Sequence, residues 1–389
     1  MIEKIKELAA GAFNEIVEIR RHLHQHPEIS FNEYETSAYI KSRLTLWGIP
    51  FTENIAITGI VVLLEGSNPK LKTIALRADF DALPITEENE VDYSSINKGV
   101  MHACGHDAHT ALLLGVIKIL NSLKSEWEGS VKFVFQPAEE QFPGGAQQMI
   151  KEGVLENPKV EKMFAQHVFP ELEVGKVGFC PGQYMASADE IYITIKGQGG
   201  HAALPDRYNN PIVSAAKLII NLEEYFLKNQ DLPSVFAIGF IQANGHTNVI
   251  PESIELKGTF RTMNEEFRVL AHKKMQEIAS DISEEYMVDV KFRILKGYPS
   301  LYNNIPLTKD SISFAKQYMG EENVISLDTR MTAEDFSYYS NEVSSCFYRL
   351  GTSNRSKGIT HGLHTSRFNI DEEALKIGMG LMAYLAIKT

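Results

Sequence analysis

Met101-His102-Ala103-Cys104-Gly105-His106-Asp107-Ala108-His109 crowds one thiol, three imidazoles and a carboxylate into a single short stretch. Thiolate and imidazole are the side chains that hold borderline-soft metals, and a Cys-x-His step puts two such donors within reach of one ion. Two donors do not complete a site, so other loops must bring more. Four other segments offer them: Asp79 and Asp81 in Arg77-Ala78-Asp79-Phe80-Asp81-Ala82-Leu83-Pro84, Glu139 and Glu140 in Gln136-Pro137-Ala138-Glu139-Glu140, His167 closing Met163-Phe164-Ala165-Gln166-His167, and His364 in His361-Gly362-Leu363-His364.

Cys104, His106, Glu140, His167 and His364 make five donors, more than the four of a closed structural zinc, which suits two ions close together sharing a water. Such a centre brings the pKa of water toward neutrality and polarises a carbonyl. It then needs a base, and Glu139, beside Glu140, is placed for that role. Asp79 or Asp81 would orient or charge-balance a ligand from behind. Each residue also has a plainer reading: a turn cap before Pro84, a solvated acidic pair, a satisfied core histidine. The alternating His22, His24 and His26 are read as helix-end and loop residues, because Pro27 stops that helix.

The elements that must carry these residues are legible from periodicity. Helical spacing runs over 2–24 and about 35–47, the latter closed by Gly48 and Pro50. Short β-branched runs at 57–64, 73–76, 131–135 and 163–167 predict strands of a buried sheet, with carboxylates where α/β sheets place their sites. The apolar run after Cys104 predicts a buried helix over 111–123, and a helix is expected at 145–153. From about residue 186 the pattern changes to β-α-β-β-α-β: strands 189–196, 234–243, 253–261 and 288–295, helices 211–227 and 265–286. That order is the split, ferredoxin-like arrangement. The expected organisation is therefore a catalytic domain in two pieces, 1–185 and 298–389, interrupted by an inserted domain, 186–297. The insertion carries its own unusual turn, Gly197-Gln198-Gly199-Gly200-His201, whose glycines leave His201 open as a donor to a substrate oxygen or make only a flexible hairpin. Asn248, in Asn248-Val249-Ile250-Pro251, is the second unusual residue there.

Size and composition bound the rest. The chain has 389 residues, 44% hydrophobic and 23% charged, which are globular values and favour two domains. A formal charge of -12 repels phosphate backbones and anionic lipid, so neither nucleic acid nor membrane is expected as a partner. The charged amphipathic start and the three cysteines, too few for a disulfide framework, predict a cytoplasmic address. Nucleophile-elbow, phosphate-loop and dinucleotide motifs are missing, and the surplus of metal-type donors argues against Cys104 as a nucleophile.

Taken together, Leu76 to Pro84, His102 to Asp107, Gln136 to Glu140, Gly199 to Ala203 and His364-Thr365-Ser366-Arg367-Phe368 resemble, in order and over essentially the whole chain, the amidohydrolase branch of the aminoacylase and carboxypeptidase metallopeptidase superfamily. The resemblance implies an α/β fold: a di-metal catalytic domain with a mixed sheet flanked by helices, interrupted by a ferredoxin-like α+β lid and dimerisation domain. It implies that Cys104, His106, Glu140, His167 and His364 bind two divalent ions per subunit, zinc or manganese foremost, with cobalt or nickel as alternatives. Glu139 would be the base, and His201 and Asn248 would face the substrate. Arg261, in Gly258-Thr259-Phe260-Arg261, matches a lid arginine for a substrate carboxylate, or is a surface charge at a strand end. Related families carry His-x-Asp where this chain has Asp79-Phe80-Asp81, so both aspartates stay in play. The expected reaction is hydrolysis of N-acyl amino acids by metal-activated water in a homodimer or higher oligomer. A dipeptidase or carboxypeptidase, or a non-catalytic metal-binding protein, is the alternative.

Overall fold

The computed structural model describes residues 1–229 and 232–389, which form two compact units. The larger comprises Met1–Gly182, Tyr302–Asp328 and Asp335–Thr389. At its centre is an eight-stranded mixed sheet. Thr73–Asp79 runs parallel to Ser130–Gln136 on one side and to Lys162–Glu173 on the other, and Ser344–Ser353 continues the parallel run beyond. Thr73–Asp79 and Ser130–Gln136 are buried at every position, as their nearly continuous apolar sequences require. Each charged residue within them has partners: those of Lys132 are the carbonyls of Val154, Glu156 and Pro158, which its ammonium reaches at 2.9, 2.7 and 3.1 Å. Burial pushes it down to about 8.

Helix His106–Ser122 packs between this sheet and the helices Ile2–Gln25 and Glu373–Lys388, so nearly all its side chains are buried. It begins five residues earlier than its apolar run predicts, which puts His106, Asp107 and His109 in its first turn rather than in a loop. Gly105 makes that start, with φ +83°; a Cβ there would lie 2.5 Å from Val168 Cγ2, so only glycine fits. Three further expectations are corrected. The strand predicted from 57 spans Gly59–Glu65, because Ala56 and Ile57 turn with positive φ. It pairs with Phe51–Ile55, a polar edge strand that periodicity did not show. The strand predicted to end at His167 runs on to Glu173, because Ser344–Ser353 pairs with it throughout that length.

The smaller unit comprises Gln183–Leu301 and Thr329–Glu334. Its strands Asp189–Lys196, Ser234–Ala243, Ser253–Thr262 and Asp289–Lys296 form one antiparallel sheet, in the spatial order second, third, first, fourth. Helices Pro211–Leu227 and Glu265–Tyr286, capped by the side chains of Asn210 and Asn264, share one apolar core with it. Arg268, fully buried, donates to Asp189 from both Nε (3.0 Å) and Nη2 (2.5 Å), while the Gly297 N–H donates to the same carboxylate at 3.1 Å. Burial opposes that charge, but His272 and Arg268 hold Asp189 below the usual carboxylate range. The first strand and the end of the fourth are thereby tied together.

Candidate metal centre

Asp79 and Asp81 leave the same strand end and serve different imidazoles. Asp81 accepts from His106 Nδ1 (3.2 Å), from Ser30 Oγ (2.6 Å) and from the Glu140 N–H (3.0 Å). The Asp81 carbonyl also lies 2.9 Å from His106 Nδ1. The proton on His106 Nδ1 is thereby held in place, which leaves Nε2 as the nitrogen that could give a lone pair to a metal. Asp79 accepts from His109 Nδ1 and from Arg77 Nη1, both at 2.5 Å. His109 Nε2 accepts the Val168 N–H at 2.9 Å, so both nitrogens of His109 are engaged and it can only position. This is where the open edge of the long strand is used: the Thr73–Asp79 ladder stops at Arg77 opposite Ala165, and His109 fills the gap beside His167.

Around His106 the donors close in. Cys104 Sγ lies 3.5 Å from His167 Nε2, whose Nδ1 donates to the Val168 carbonyl at 2.7 Å. His364 adopts φ +59° and donates its N–H to the Ala103 carbonyl, bringing its Nε2 to 3.2 Å from Glu140 Oε1. Ligand atoms of Cys104, His106 and His167 lie within 4.8 Å of one another, and so do those of Cys104, Glu140 and His364; the two triads share one sulfur. A third set within the same span joins His106, Glu139 and Glu140. His106 Nε2 is buried with no hydrogen-bond partner among the described residues, while Glu140 Oε1 has the His364 imidazole as an ion-pair contact but makes no well-aligned hydrogen bond there. Such an orphaned atom normally signals a missing partner.

The carboxylates around His106 suit a cation as that partner. Burial should depress His106, yet Asp79, Asp81 and Glu140 push it up to about 10. Burial and then Glu140, Glu139 and Asp79 raise the Cys104 thiol well above its ordinary range. Burial also opposes the charge on Asp79, but Arg77, His106 and His109 hold it well below the usual carboxylate range. A buried pocket that drives protons onto both an imidazole and a thiol is short of positive charge. A thiol, imidazoles and carboxylates are a donor set that divalent ions satisfy. Because Asp81 orients His106, Asp81→Asn is expected to weaken metal retention by roughly 10 to 100-fold, measured by competition with a chelating dye. Unchanged retention would remove that role.

The remaining predicted residues lie in the smaller unit. His201 pairs with Val249 across a two-residue ladder, and the Ala202 N–H donates to the Asn248 carbonyl at 3.0 Å, so His201 and Asn248 are neighbours and both exposed. The Ala203 N–H donates to His201 Nδ1 at 3.1 Å, which puts the ring proton on Nε2. Arg261 is half-buried and donates from Nη1 to the Met331 carbonyl at 3.2 Å; burial lowers its pKa.

Several positioning residues escaped the sequence reading. Arg77 bridges Asp79, Gln136 and Asp335, and Asp335 also accepts from Gln136 and from the Ala146 N–H. The spacing of Arg77 two before Asp79 and of His109 three after His106 was a usable signal. Asp335 had none.

Soft and hard donors meeting beside a glutamate pair, on a mixed α/β sheet flanked by helices, belong to the metal-dependent amide hydrolases. The chain belongs to peptidase family M20/M25/M40, which it matches over residues 75–388. It is 35% identical to the N-acetylcysteine deacetylase of Bacillus subtilis, with 98% of each chain covered. It is 34% identical to thermostable carboxypeptidase 2 of Saccharolobus solfataricus, over 100% of this chain and 98% of that one. Among solved structures, the B. subtilis YxeP protein, described as a dinuclear metal-binding M20 peptidase, superposes with a TM-score of 0.84 at 33% identity, covering 97% and 98% of the two chains.

Proposed function

We propose that this protein is a di-metal amidohydrolase that cleaves N-acyl amino acids into a carboxylic acid and a free amino acid. The observation that carries the reading is the pair of donor triads sharing the Cys104 sulfur beside Glu139. Cys104, His106, Glu140, His167 and His364 would hold two divalent ions. When bound, the ions acidify water and polarise the amide carbonyl. Glu139 accepts the proton of the attacking water and delivers it to the amine nitrogen as the C–N bond breaks. Asp81 keeps His106 in the Nδ1–H tautomer, and Asp79 holds His109. His201, protonated on Nε2, is assigned to the developing oxyanion, with Asn248 beside it. Arg261 is assigned to the substrate carboxylate, since only part of its donor fork is used among the described residues.

The division into a catalytic domain, 1–185 with 298–389, and a lid domain, 186–297, belongs to the same reading, as does self-association through the lid. The outer backbone edge of Ser234–Ala243 supports the latter: it is a sheet margin on which Phe240 and Ile241 are exposed. The cytoplasmic address is supported by three free cysteines. No described helix is long and apolar enough to cross a membrane.

The test is a panel of N-acetyl, N-benzoyl and N-succinyl amino acids with zinc, manganese, cobalt or nickel added back after chelation. Zinc or manganese is expected to support hydrolysis of at least one substrate class. The relationship to a carboxypeptidase favours a second reading, so dipeptides with a free amino group form the other arm. Cleavage confined to them would replace the first reading with a dipeptidase. Full metal loading with no cleavage in either arm would leave only a binding protein.

A further inference from the structure

Glu33 is fully buried at the start of helix Tyr34–Leu46, yet it does not cap that helix. The capping is done by Glu28, whose carboxylate accepts the N–H groups of Glu35 (3.2 Å) and Thr36 (2.8 Å) and the Thr36 hydroxyl (2.8 Å). Phe31, with φ +64°, turns the chain between the two glutamates. Glu33 is thereby aimed inward. Its Oε1 accepts the N–H groups of Phe31 and Ala138, both at 2.9 Å, and its Oε2 accepts the Thr58 hydroxyl at 3.0 Å.

Ala138 is the residue that turns the chain from strand Ser130–Gln136 into Glu139 and Glu140. It does so with φ +54°, a left-handed conformation that an alanine, with its Cβ crowding the carbonyl, keeps only where its surroundings hold it. Two bonds do so: the Glu33 carboxylate takes its N–H, and its carbonyl accepts the Gly145 N–H at 2.9 Å. Two residues on, the Glu140 N–H is taken by Asp81, which in turn is held by the Ser30 hydroxyl. Ser30 and Glu33, three positions apart on one segment, therefore brace both halves of the centre.

We propose that Glu33 is a positioning residue for the hydrolytic reaction: it locks the left-handed turn at Ala138 and so sets where the Glu139 carboxylate stands relative to its neighbour Glu140. The inference rests on the amidohydrolase reading for its kinetic consequence, but the lock itself is independent of it. Burial, and then the charge of Asp81, push the Glu33 carboxyl up to about 7, so a neutral acceptor of the same shape is a fair substitute. A glutamine can keep both N–H bonds on its carbonyl oxygen and donate to Thr58 with its amide.

The experiment compares the metal-loaded wild-type protein with Glu33→Ala and Glu33→Gln. Hydrogen exchange of the peptide spanning 136–145 is read by mass spectrometry, alongside metal content, kcat and KM. In Glu33→Ala that peptide should exchange about 10²-fold faster, as expected when a buried amide loses its partner and opens locally. With metal content unchanged, kcat should fall about 10²-fold while KM moves little, the cost of misplacing a reacting group by about 1 Å. Glu33→Gln should restore exchange protection and most of kcat. If the alanine variant does not fold, Glu33→Asp, one methylene shorter, should show the same accelerated exchange and reduced kcat. Wild-type exchange and kcat in Glu33→Ala would overturn the proposal, as would a glutamine variant no better than alanine, or loss of metal in step with activity. If the wild-type protein cleaves no substrate, the amidohydrolase reading fails, and the exchange difference still decides whether Glu33 locks the turn.

Discussion

Replacing Glu139 with glutamine should lower kcat by roughly 10²–10⁴-fold, the usual contribution of a placed general base, with the metal content unchanged. Glutamine has the shape of glutamate and can make comparable hydrogen bonds, but it cannot take a proton from water. Glu139 is only 6% exposed, so an isosteric replacement avoids opening a void. Its neighbour Glu140 sits in a triad with Cys104 and His364 and would retain its ion without help from residue 139. The measurement is kcat on an N-acyl substrate together with metal analysis of the same sample. Wild-type turnover would exclude Glu139 as the base; a parallel loss of metal would make it a ligand instead.

Removing the metals should have a second large effect, on both activity and stability. Activity should fall to background on chelation and return on adding back a divalent ion. Without a cation the site holds protons in its place, because Asp79, Asp81 and Glu140 push His106 up to about 10 and the Cys104 thiol is raised as well. A cation that binds only the folded chain stabilises it by about 4 kcal/mol at free metal a thousandfold above Kd. In a unit of this size that corresponds to a rise in Tm of roughly 10 °C. Calorimetry of the chelated and reloaded protein reads the shift directly. A Tm unmoved by chelation, with the chelator shown to have stripped the protein, would mean that the donors around Cys104 do not hold an ion tightly.

Much of the architecture was legible because it obeys local periodicity. Helix Pro211–Leu227 and strands such as Asp189–Lys196 lie where their apolar spacing puts them, since each buries one face against a single core. Errors fell where tertiary contacts override spacing. The first turn of helix His106–Ser122 carries polar residues that look like a loop, but in the fold each of them meets a buried partner: Asp81 for His106, Arg20 and His24 for Asp107, Asp79 for His109. Edge strand Phe51–Ile55 is polar because little of it is covered.

The sequence alone supplied the candidate donor set: thiol, imidazoles and carboxylates are the groups that suit a divalent ion, and they are written in residue type and motif order. It left undecided which aspartate serves which histidine, and it gave no sign that Glu33 or Asp335 takes part. Only the tertiary structure assigned Asp81 to His106 and Asp79 to His109, closed the Arg77–Asp335 pair and put Glu33 on the Ala138 turn. The physical reason is that each of these is a buried hydrogen bond between elements distant in the chain. Its partner is set by how a helix lies on the sheet, a relation that no local pattern of residues encodes.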